Sequence, residues 1–240
     1  MNTQAALRLT RRIARQALDG IFPPRCAGCR ASGHILCAAC AARVEPITPP
    51  FCQLCGMPLL VPGLCQGCKF RPPALSGLRV MAQYQEPLRT CIHALKYDGN
   101  TRLAEPLGLL LAQGYRNYGL QADAIIAVPL HHERERQRGY NHARLLAEVC
   151  AANIGITLYD DLLIRHRATS AQVGLQTRER YQNVAGAFMC TPASATGALC
   201  GRNMLIIDDV CTTGATLEAC AEPLFAAGAA TVWGLVLARP

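Results

Sequence analysis

Residues 204–217 read MLIIDDVCTTGATL, and this stretch decides the fold. Its apolar start predicts a buried strand that ends in Asp208 and Asp209. A loop rich in hydroxyl groups follows and opens a helix, and exposed amides at a helix N-terminus favour a phosphate group. The two carboxylates can accept hydrogen bonds from sugar hydroxyls and help to hold Mg²⁺. We therefore predict a site for a phosphorylated sugar, in which the loop residues are Thr212, Thr213, Gly214, Ala215 and Thr216.

The sequence around this stretch alternates short apolar runs with helical periodicity from Pro72 onward. This pattern is typical of an α/β fold with a mainly parallel sheet flanked by helices. Ligands in such folds bind beyond the carboxyl ends of the strands, where loops lead into helices. The predicted strands are 77–84, 124–128, 203–207 and 231–237, and the predicted helices are 88–96, 102–115, 141–153 and 214–227.

Four CxxC pairs precede the α/β region within residues 26–68. Two facing CxxC turns supply the four thiolates of a tetrahedral zinc site, and pairing neighbours along the chain closes the shortest loops. A disulfide framework is the alternative, which a cytosolic location would disfavour. Two complete sets leave no open position for water, so we predict two structural zinc sites with the ligands Cys26, Cys29, Cys37 and Cys40, and Cys52, Cys55, Cys65 and Cys68.

The N-terminal 72 residues are basic, with 9 basic and 2 acidic residues. Two four-thiolate zinc sites would lower their formal charge from +7 to +3. Residues 1–22 are predicted to hold a short basic amphipathic helix. It either packs onto the cysteine module or contacts DNA or a membrane surface. A polyanion such as nucleic acid is therefore one candidate partner of this module.

The composition restricts the classes of protein to be considered. Apolar residues make up 51% of the 240 residues and charged residues 17%, which excludes wholesale disorder. The sequence contains no apolar run of membrane-spanning length. Arginines interrupt the apolar residues near the N-terminus, which is unlike a secretory signal. We therefore expect a cytoplasmic protein with no membrane span.

The segment DDVCTTGAT resembles the phosphoribosyl pyrophosphate (PRPP) binding motif of type I phosphoribosyltransferases. With four CxxC pairs ahead of it, the chain is similar to the competence protein F (ComF) family over nearly its whole length. Three further segments carry the resemblance: HALKYDGN, VPLHHERERQRGYNHARLLA and RHRATSAQVGLQTRERYQNVAGAF. The chain has Tyr140 and His142 where the family usually has Phe and Gln. After the basic helix predicted at 1–22, the resemblance implies a double zinc ribbon at 23–72 and a phosphoribosyltransferase-like domain at 73–240.

The resemblance also implies roles for individual residues. Asp208 and Asp209 would be catalytic and hold the ribose of PRPP together with Mg²⁺, and residues 212–216 would bind its 5-phosphate. Arg134, Arg136 and Arg138 follow a predicted strand and would bind pyrophosphate. Alternatively, these three arginines are part of a solvent-exposed charged stretch that binds no ligand. The arginine-containing stretch at 165–180 is either a lid over a polyanionic substrate or an ordinary exposed connection.

The acceptor of a phosphoribosyl group is not identified by any residue. In purine-specific members of the superfamily the third position after the acidic pair is a carboxylate that acts as general base, whereas this chain has Thr212. Two classes of function remain open. One is a Mg²⁺-dependent phosphoribosyltransferase linked to natural competence and DNA uptake. The other is a non-catalytic sensor of a nucleotide or phosphorylated sugar, whose zinc ribbons bind single-stranded DNA or proteins of the competence machinery.

Overall fold

The computed structural model describes residues 22–169, 176–192, 197 and 199–240. The amphipathic helix predicted at the N-terminus lies outside these residues, apart from residue 22. In the described part of the chain, every helix is too short or too polar to cross a lipid bilayer. Helices and strands are numbered in chain order, and the first two helices, α1 (Ala38–Ala41) and α2 (Gln66–Phe70), lie in the cysteine-rich module.

A four-stranded parallel sheet forms the centre of the structure, in the order β1-β6-β5-β2. Every strand is rich in buried aliphatic residues, as expected for a sheet covered on both faces. The predicted α/β fold with a mainly parallel sheet is thus confirmed. The strands are β1 (Gly77–Gln83), β2 (Ala124–Ala127), β5 (Asn203–Val210) and β6 (Thr231–Arg239).

Strand β5 is longer than the predicted strand at 203–207. Asp208 and Val210 still pair with Val236 and Ala238 of β6, because β6 also extends beyond its predicted end. The two acidic residues therefore lie inside the strand and not in the loop after it. Successive strand residues point to opposite faces, so the two carboxylates have different surroundings.

Helices cover both faces of the sheet. Gly114 of one helix lies against Met81, whereas Leu217 of another meets Gly234 beside Leu78. Met81 and Leu78 project from opposite faces of β1, which places these two helices on opposite sides. The α-helices of this domain that the sequence predicted are α3 (Leu88–Tyr97), α4 (Ala104–Asn117), α6 (His142–Ile154) and α8 (Ala215–Ala226), and a 3-10 helix (Thr101–Leu103) precedes α4.

Four elements that the sequence did not predict complete the domain. Two short strands pair antiparallel to form a second sheet, and a charged helix lies between them in the chain. A second charged helix follows β2. These elements are α5 (His132–Arg138), β3 (Leu163–Arg165), α7 (Thr177–Val184) and β4 (Phe188–Cys190). The stretch 165–180, predicted as a lid or an exposed connection, thus includes Arg165 of β3 and the first four residues of α7, while its residues 170–175 lie outside the described part.

The cysteine-rich module covers the free edge of β1. The amide of Ile47 donates to the carbonyl of Met81 at 3.0 Å, and the amide of Gln83 donates to Glu45 at 3.0 Å. Further along the same edge, the amide of Leu78 donates to Leu54 at 2.7 Å. Backbone groups that an edge strand would expose are therefore paired.

Candidate functional site

A cleft of about 380 Å³ opens beyond the carboxyl ends of β2 and β5. It brings together six of the residues that the sequence predicted for the site: Arg134, Arg138, Asp208, Asp209, Thr212 and Thr216. Thr213, Gly214 and Ala215 line a small pocket that continues from it past Asp208. Arg136 is exposed and does not line the cleft. The other lining residues are Lys96, Tyr97, Val128, Leu130, His142, Arg165, Arg180 and Val210.

The loop at residues 212–216, here called the threonine loop, opens helix α8. Gly214 is its N-cap residue and has a φ of 89°, a left-handed conformation that glycine adopts without strain. The Thr213 hydroxyl accepts a hydrogen bond from the amide of Ala215 at 3.3 Å. The amide of Gly214 donates to the sulfur of Cys211, whereas within the described residues no hydrogen bond uses the amide of Thr212 or Thr213 as a donor. These two unused amides and the helix dipole form a binding position for an anion.

The two acidic residues of β5 lie in different environments. Asp209 is only 2% exposed, and its Oδ2 lies 2.5 Å from the Nζ of Lys96 and 3.7 Å from the Nε2 of His142. The Nη1 of Arg138 lies 2.6 Å from the Nδ1 of His142. A guanidinium can only donate, so this nitrogen accepts and the ring proton lies on Nε2, facing Asp209. Asp208 is only partly buried and faces the cleft.

These surroundings move the pKa values of the two carboxyl groups apart. Burial and the neighbouring charge of Asp209 raise the pKa of Asp208 to about 7. Although burial opposes ionisation of Asp209, Lys96 and His142 hold its pKa well below the usual range. Asp209 is therefore a permanently ionised partner of Lys96, whereas Asp208 changes its charge near neutral pH.

Arginine side chains line the side of the cleft formed by α5, β3 and α7. Arg134 donates to the carbonyl of Thr169 at 2.8 Å, and Arg180 donates to the Thr212 hydroxyl at 2.5 Å. Arg165 is 8% exposed and its Nε lacks a hydrogen-bond partner within the described residues. Burial, followed by the charge of Arg134, lowers the pKa of Arg165. A buried cation with an unused donor favours an anionic ligand on this side.

Sequence reasoning placed Lys96 and Tyr97 in a segment that carries the family resemblance, but it did not assign them to the site. Arg165 and Arg180 were predicted only as part of a stretch that is either a lid or an exposed connection, and His142 only as a departure from the family pattern. Each of these residues reaches the cleft because its helix or strand packs beside the carboxyl end of the sheet, and a local sequence pattern does not predict that packing. The arginine-rich composition of the stretch at 165–180 was the available signal for two of them.

The cysteines form two separate four-sulfur sites, as predicted. In each set the ligand atoms lie within 4.8 Å of one another. Backbone amides donate to the sulfurs, such as Cys37 to Cys26 at 3.3 Å and Cys65 to Cys52 at 3.4 Å. Burial alone would raise the pKa of Cys26 and Cys52, but backbone hydrogen bonds lower it to about 6. Two short helices each carry one ligand, α1 (Ala38–Ala41) and α2 (Gln66–Phe70).

The pairing of consecutive CxxC turns is therefore confirmed, and both sites are zinc-binding sites of the structural kind. The first zinc site comprises Cys26, Cys29, Cys37 and Cys40, and the second zinc site comprises Cys52, Cys55, Cys65 and Cys68. All four positions of a tetrahedral ion are taken by protein sulfurs in each site. The remaining cysteine near the cleft, Cys211, is buried, and burial raises the pKa of its thiol to about 11, which disfavours a nucleophilic thiolate.

Comparison with known proteins gives the family. Residues 17–69 match the double zinc ribbon domain. The chain is 35% identical over 228 residues to DNA utilization protein YhgH of Escherichia coli O157:H7, covering 90% of this chain and 97% of the relative. It is 32% identical over 229 residues to competence protein F of Haemophilus influenzae, covering 90% and 98%.

Among solved structures, the chain is similar to purine phosphoribosyltransferase from Pyrococcus horikoshii Ot3, with a TM-score of 0.34 and 17% identity over 57% of this chain and 81% of that one. The assignment to a family comes from the sequence relatives, which align along nearly their whole length. The chain therefore belongs to the family that includes competence protein F and DNA utilization protein YhgH.

Proposed function

We propose that the cleft binds PRPP or a closely related phosphoribosyl compound together with Mg²⁺, and that the chain is a phosphoribosyltransferase-like protein of DNA uptake and use in the cytoplasm. One observation carries the proposal. The threonine loop offers donors for a phosphate ester, and the half-buried carboxylate of Asp208 and four arginines line the same continuous cleft. A sugar that carries two phosphate-containing groups matches this set of charges.

The threonine loop would hold the 5-phosphate. The unused amides of Thr212 and Thr213 favour an anion, and the Thr213 and Thr216 hydroxyls add further donors. Asp208 would accept hydrogen bonds from the ribose hydroxyls in its ionised form. Asp209 is held by Lys96, so it would fix the end of β5 and orient Lys96 instead of binding the sugar directly.

The donor set of the cleft also fits Mg²⁺. Oxygen ligands are required, and Asp208 is the carboxylate that Lys96 leaves accessible. Asp208 would therefore hold the ion together with oxygens of the ligand. When bound, Mg²⁺ supplies positive charge that offsets the charge of a diphosphate.

Arg134 and Arg138 would bind the pyrophosphate, as the resemblance implies, and Arg165 and Arg180 would extend the same surface. Positively charged donors held in place before reaction stabilise charge that develops on a leaving group. In a transferase reaction the bond from C1 of the ribose to pyrophosphate breaks, and an acceptor attacks C1. Thr212 occupies the position of the purine-binding carboxylate, which favours an acceptor other than a purine.

Calorimetry with PRPP and Mg²⁺ tests the proposal. The unaltered chain should bind PRPP, and Asp208→Ala should weaken binding by at least tenfold, because hydrogen bonds to a charged group are lost. Asp123→Ala is the matched control, since Asp123 is an exposed carboxylate that accepts from the amide of Asn203 at the start of β5, away from the cleft. Absence of PRPP binding by the unaltered chain would contradict the proposal. Release of pyrophosphate on adding candidate acceptors would then distinguish a transferase from a sensor.

A second candidate function is binding of single-stranded DNA by the zinc ribbons. Phe70 is 87% exposed at the end of α2 and directly follows Lys69. An exposed ring beside a cation is suited to stacking on a base while the charge contacts phosphate. The names of two relatives refer to competence and to DNA utilization, which agrees with this second role.

A further inference from the structure

The threonine loop is attached to the second zinc site through a buried arginine. Arg239 is the last residue of β6 and is 7% exposed. Its Nη1 donates to the carbonyl of Cys55 at 2.6 Å, and its Nη2 donates to the carbonyl of Thr212 at 3.2 Å. Cys55 is a ligand of the second zinc site and Thr212 begins the threonine loop. One rigid guanidinium therefore connects a metal-ligand residue to the proposed phosphate-binding backbone.

A second set of contacts also connects the segment after α2 to the threonine loop. The Tyr181 hydroxyl lies 3.1 Å from the carbonyl of Thr213 and 2.7 Å from the carboxylate of Glu218. Glu218 is buried and also accepts from the amide of Ala74 at 3.3 Å and from Arg71 at 3.4 Å. Arg71 and Ala74 follow directly after α2, the helix that carries the last ligand of the second zinc site. Arg71 also stacks over the ring of Tyr181 at 3.9 Å.

The first zinc site has different neighbours. Its turn packs Gly28 against Pro87, at the start of α3. In the part of the chain that the structure describes, no hydrogen bond joins a residue of this site to the threonine loop. The two sites have the same ligands, but among the described residues hydrogen bonds connect the second site, and not the first, to the loop.

We infer that the second zinc site and Arg239 position the threonine loop, so that binding of a phosphate monoester depends on metal in the second site and not in the first. The inference rests on the proposed function, because it assumes that the loop holds a phosphate group. Arg239 is a positioning residue: it contacts the carbonyl of Thr212 in the loop, and its role is to keep the amides of Thr212 and Thr213 aimed at the ligand. Zinc fixes the turn that presents the carbonyl of Cys55.

The variant Arg239→Gln tests the connection that Arg239 makes between Cys55 and Thr212. Ribose 5-phosphate is the probe of the threonine loop, and inorganic pyrophosphate is the probe of the arginines in the cleft. Calorimetry should show ribose 5-phosphate binding weakened about tenfold or more and pyrophosphate binding unchanged, because a neutral amide cannot replace two charge-assisted hydrogen bonds. Arg239→Lys keeps the charge and can reach one carbonyl, so its loss should be smaller. If Arg239→Gln lowers the affinity for both probes equally, or for neither, the inference is wrong.

A matched pair of cysteine variants tests the role of the metal. Cys29→Ser and Cys55→Ser each change the second cysteine of the first CxxC in one site, and metal analysis should show one zinc lost from two in each variant. Only Cys55→Ser should weaken ribose 5-phosphate binding. Equal affinities in the two variants would overturn the inference. If the unaltered chain binds neither ribose 5-phosphate nor PRPP, the proposed function is contradicted, and the inference that rests on it is contradicted as well.

Discussion

Asp208 and Asp209 are neighbours in sequence, yet only one of them is available to a ligand. The strand turns Asp209 toward Lys96 and His142, where its charge is satisfied inside the protein. Asp208 faces the cleft with a pKa raised to about 7 by burial and by the charge of Asp209. Asp209 therefore stabilises the site through its ion pair, whereas Asp208 is placed to contact a ligand.

This division predicts a pH dependence of PRPP binding. Because the pKa of Asp208 is about 7, the carboxylate form increases as the pH rises through neutrality. We expect the affinity for PRPP to increase about tenfold between pH 6 and pH 8, following the fraction of ionised Asp208. Calorimetry across this range measures the effect.

Asp208→Asn provides the control, since PRPP also gains charge in this range and that part of the effect does not depend on Asp208. The variant should retain only the ligand's own, smaller pH dependence. A pH profile identical to that of the unaltered chain would show that Asp208 does not contact the ligand in its ionised form.

The partners of the acidic pair were harder to predict than the pair itself. Asp208 and Asp209 stand out because they interrupt an apolar strand next to a loop of hydroxyl residues. Lys96 comes from the end of α3, far away in sequence, and His142 comes from the start of α6. Their contacts depend on how these helices pack, which a local pattern does not encode.

At the scale of elements, the threonine loop depends on one backbone conformation. Gly214 has a φ of 89°, and a β-carbon there would have only the Glu218 carboxylate nearby, at 3.7 Å. Gly214→Ala should therefore act through backbone strain and not through a clash. We expect a loss of about 1 kcal/mol in stability and a clear loss of ribose 5-phosphate binding, measured by thermal unfolding and calorimetry.

Gly155→Ala is the comparison for this prediction. Gly155 ends α6 with a φ of 75° and has open space around its α-carbon, so the strain should be similar. It lies outside the threonine loop, and its variant should lose stability while binding ribose 5-phosphate normally. Equal binding by the two variants would contradict the role of the loop.

The elements that the sequence failed to predict are short, and the two helices among them are charged. Helix α5 has the sequence HERERQR and buries none of its residues, so it carries no apolar periodicity. Helix α7 begins with a capping box at Gln176 and Glu179 and buries only Val184. The strands and helices of the central sheet were predictable because their buried faces follow regular periods.

At the scale of the whole molecule, the zinc ribbons and the sheet are joined along an edge. The backbone of residues 45–47 pairs with β1, and the second zinc site contacts β1 and β6 through Leu54 and Cys55. Deleting residues 1–72 would therefore open the β1 edge as well as remove the ribbons. Point variants on the ribbon surface are the better test of DNA binding.

Binding of single-stranded DNA should depend on Phe70 and on salt. We expect Phe70→Ala to weaken binding of a fluorescent oligothymidine by about fivefold or more, because one stacking contact is lost. Affinity should also fall steadily as salt rises, since counterions are released from the phosphates. Fluorescence anisotropy measures both effects.

Phe225→Ala serves as the control, because Phe225 is a partly exposed ring near the end of α8 and away from the ribbons. Its variant should bind the oligonucleotide as the unaltered chain does. If the two phenylalanine variants behave alike, the ribbon surface is not the DNA-binding surface.

The covered edge of β1 also has a consequence for biosynthesis. The ribosome completes the cysteine module before it makes β1, so a metal-loaded module can be ready when its partner strand emerges. A chain made under zinc starvation would instead release β1 with unpaired amides and carbonyls. Such molecules would join edge to edge into aggregates, and the supply of metal during translation would thereby set the yield of intact protein.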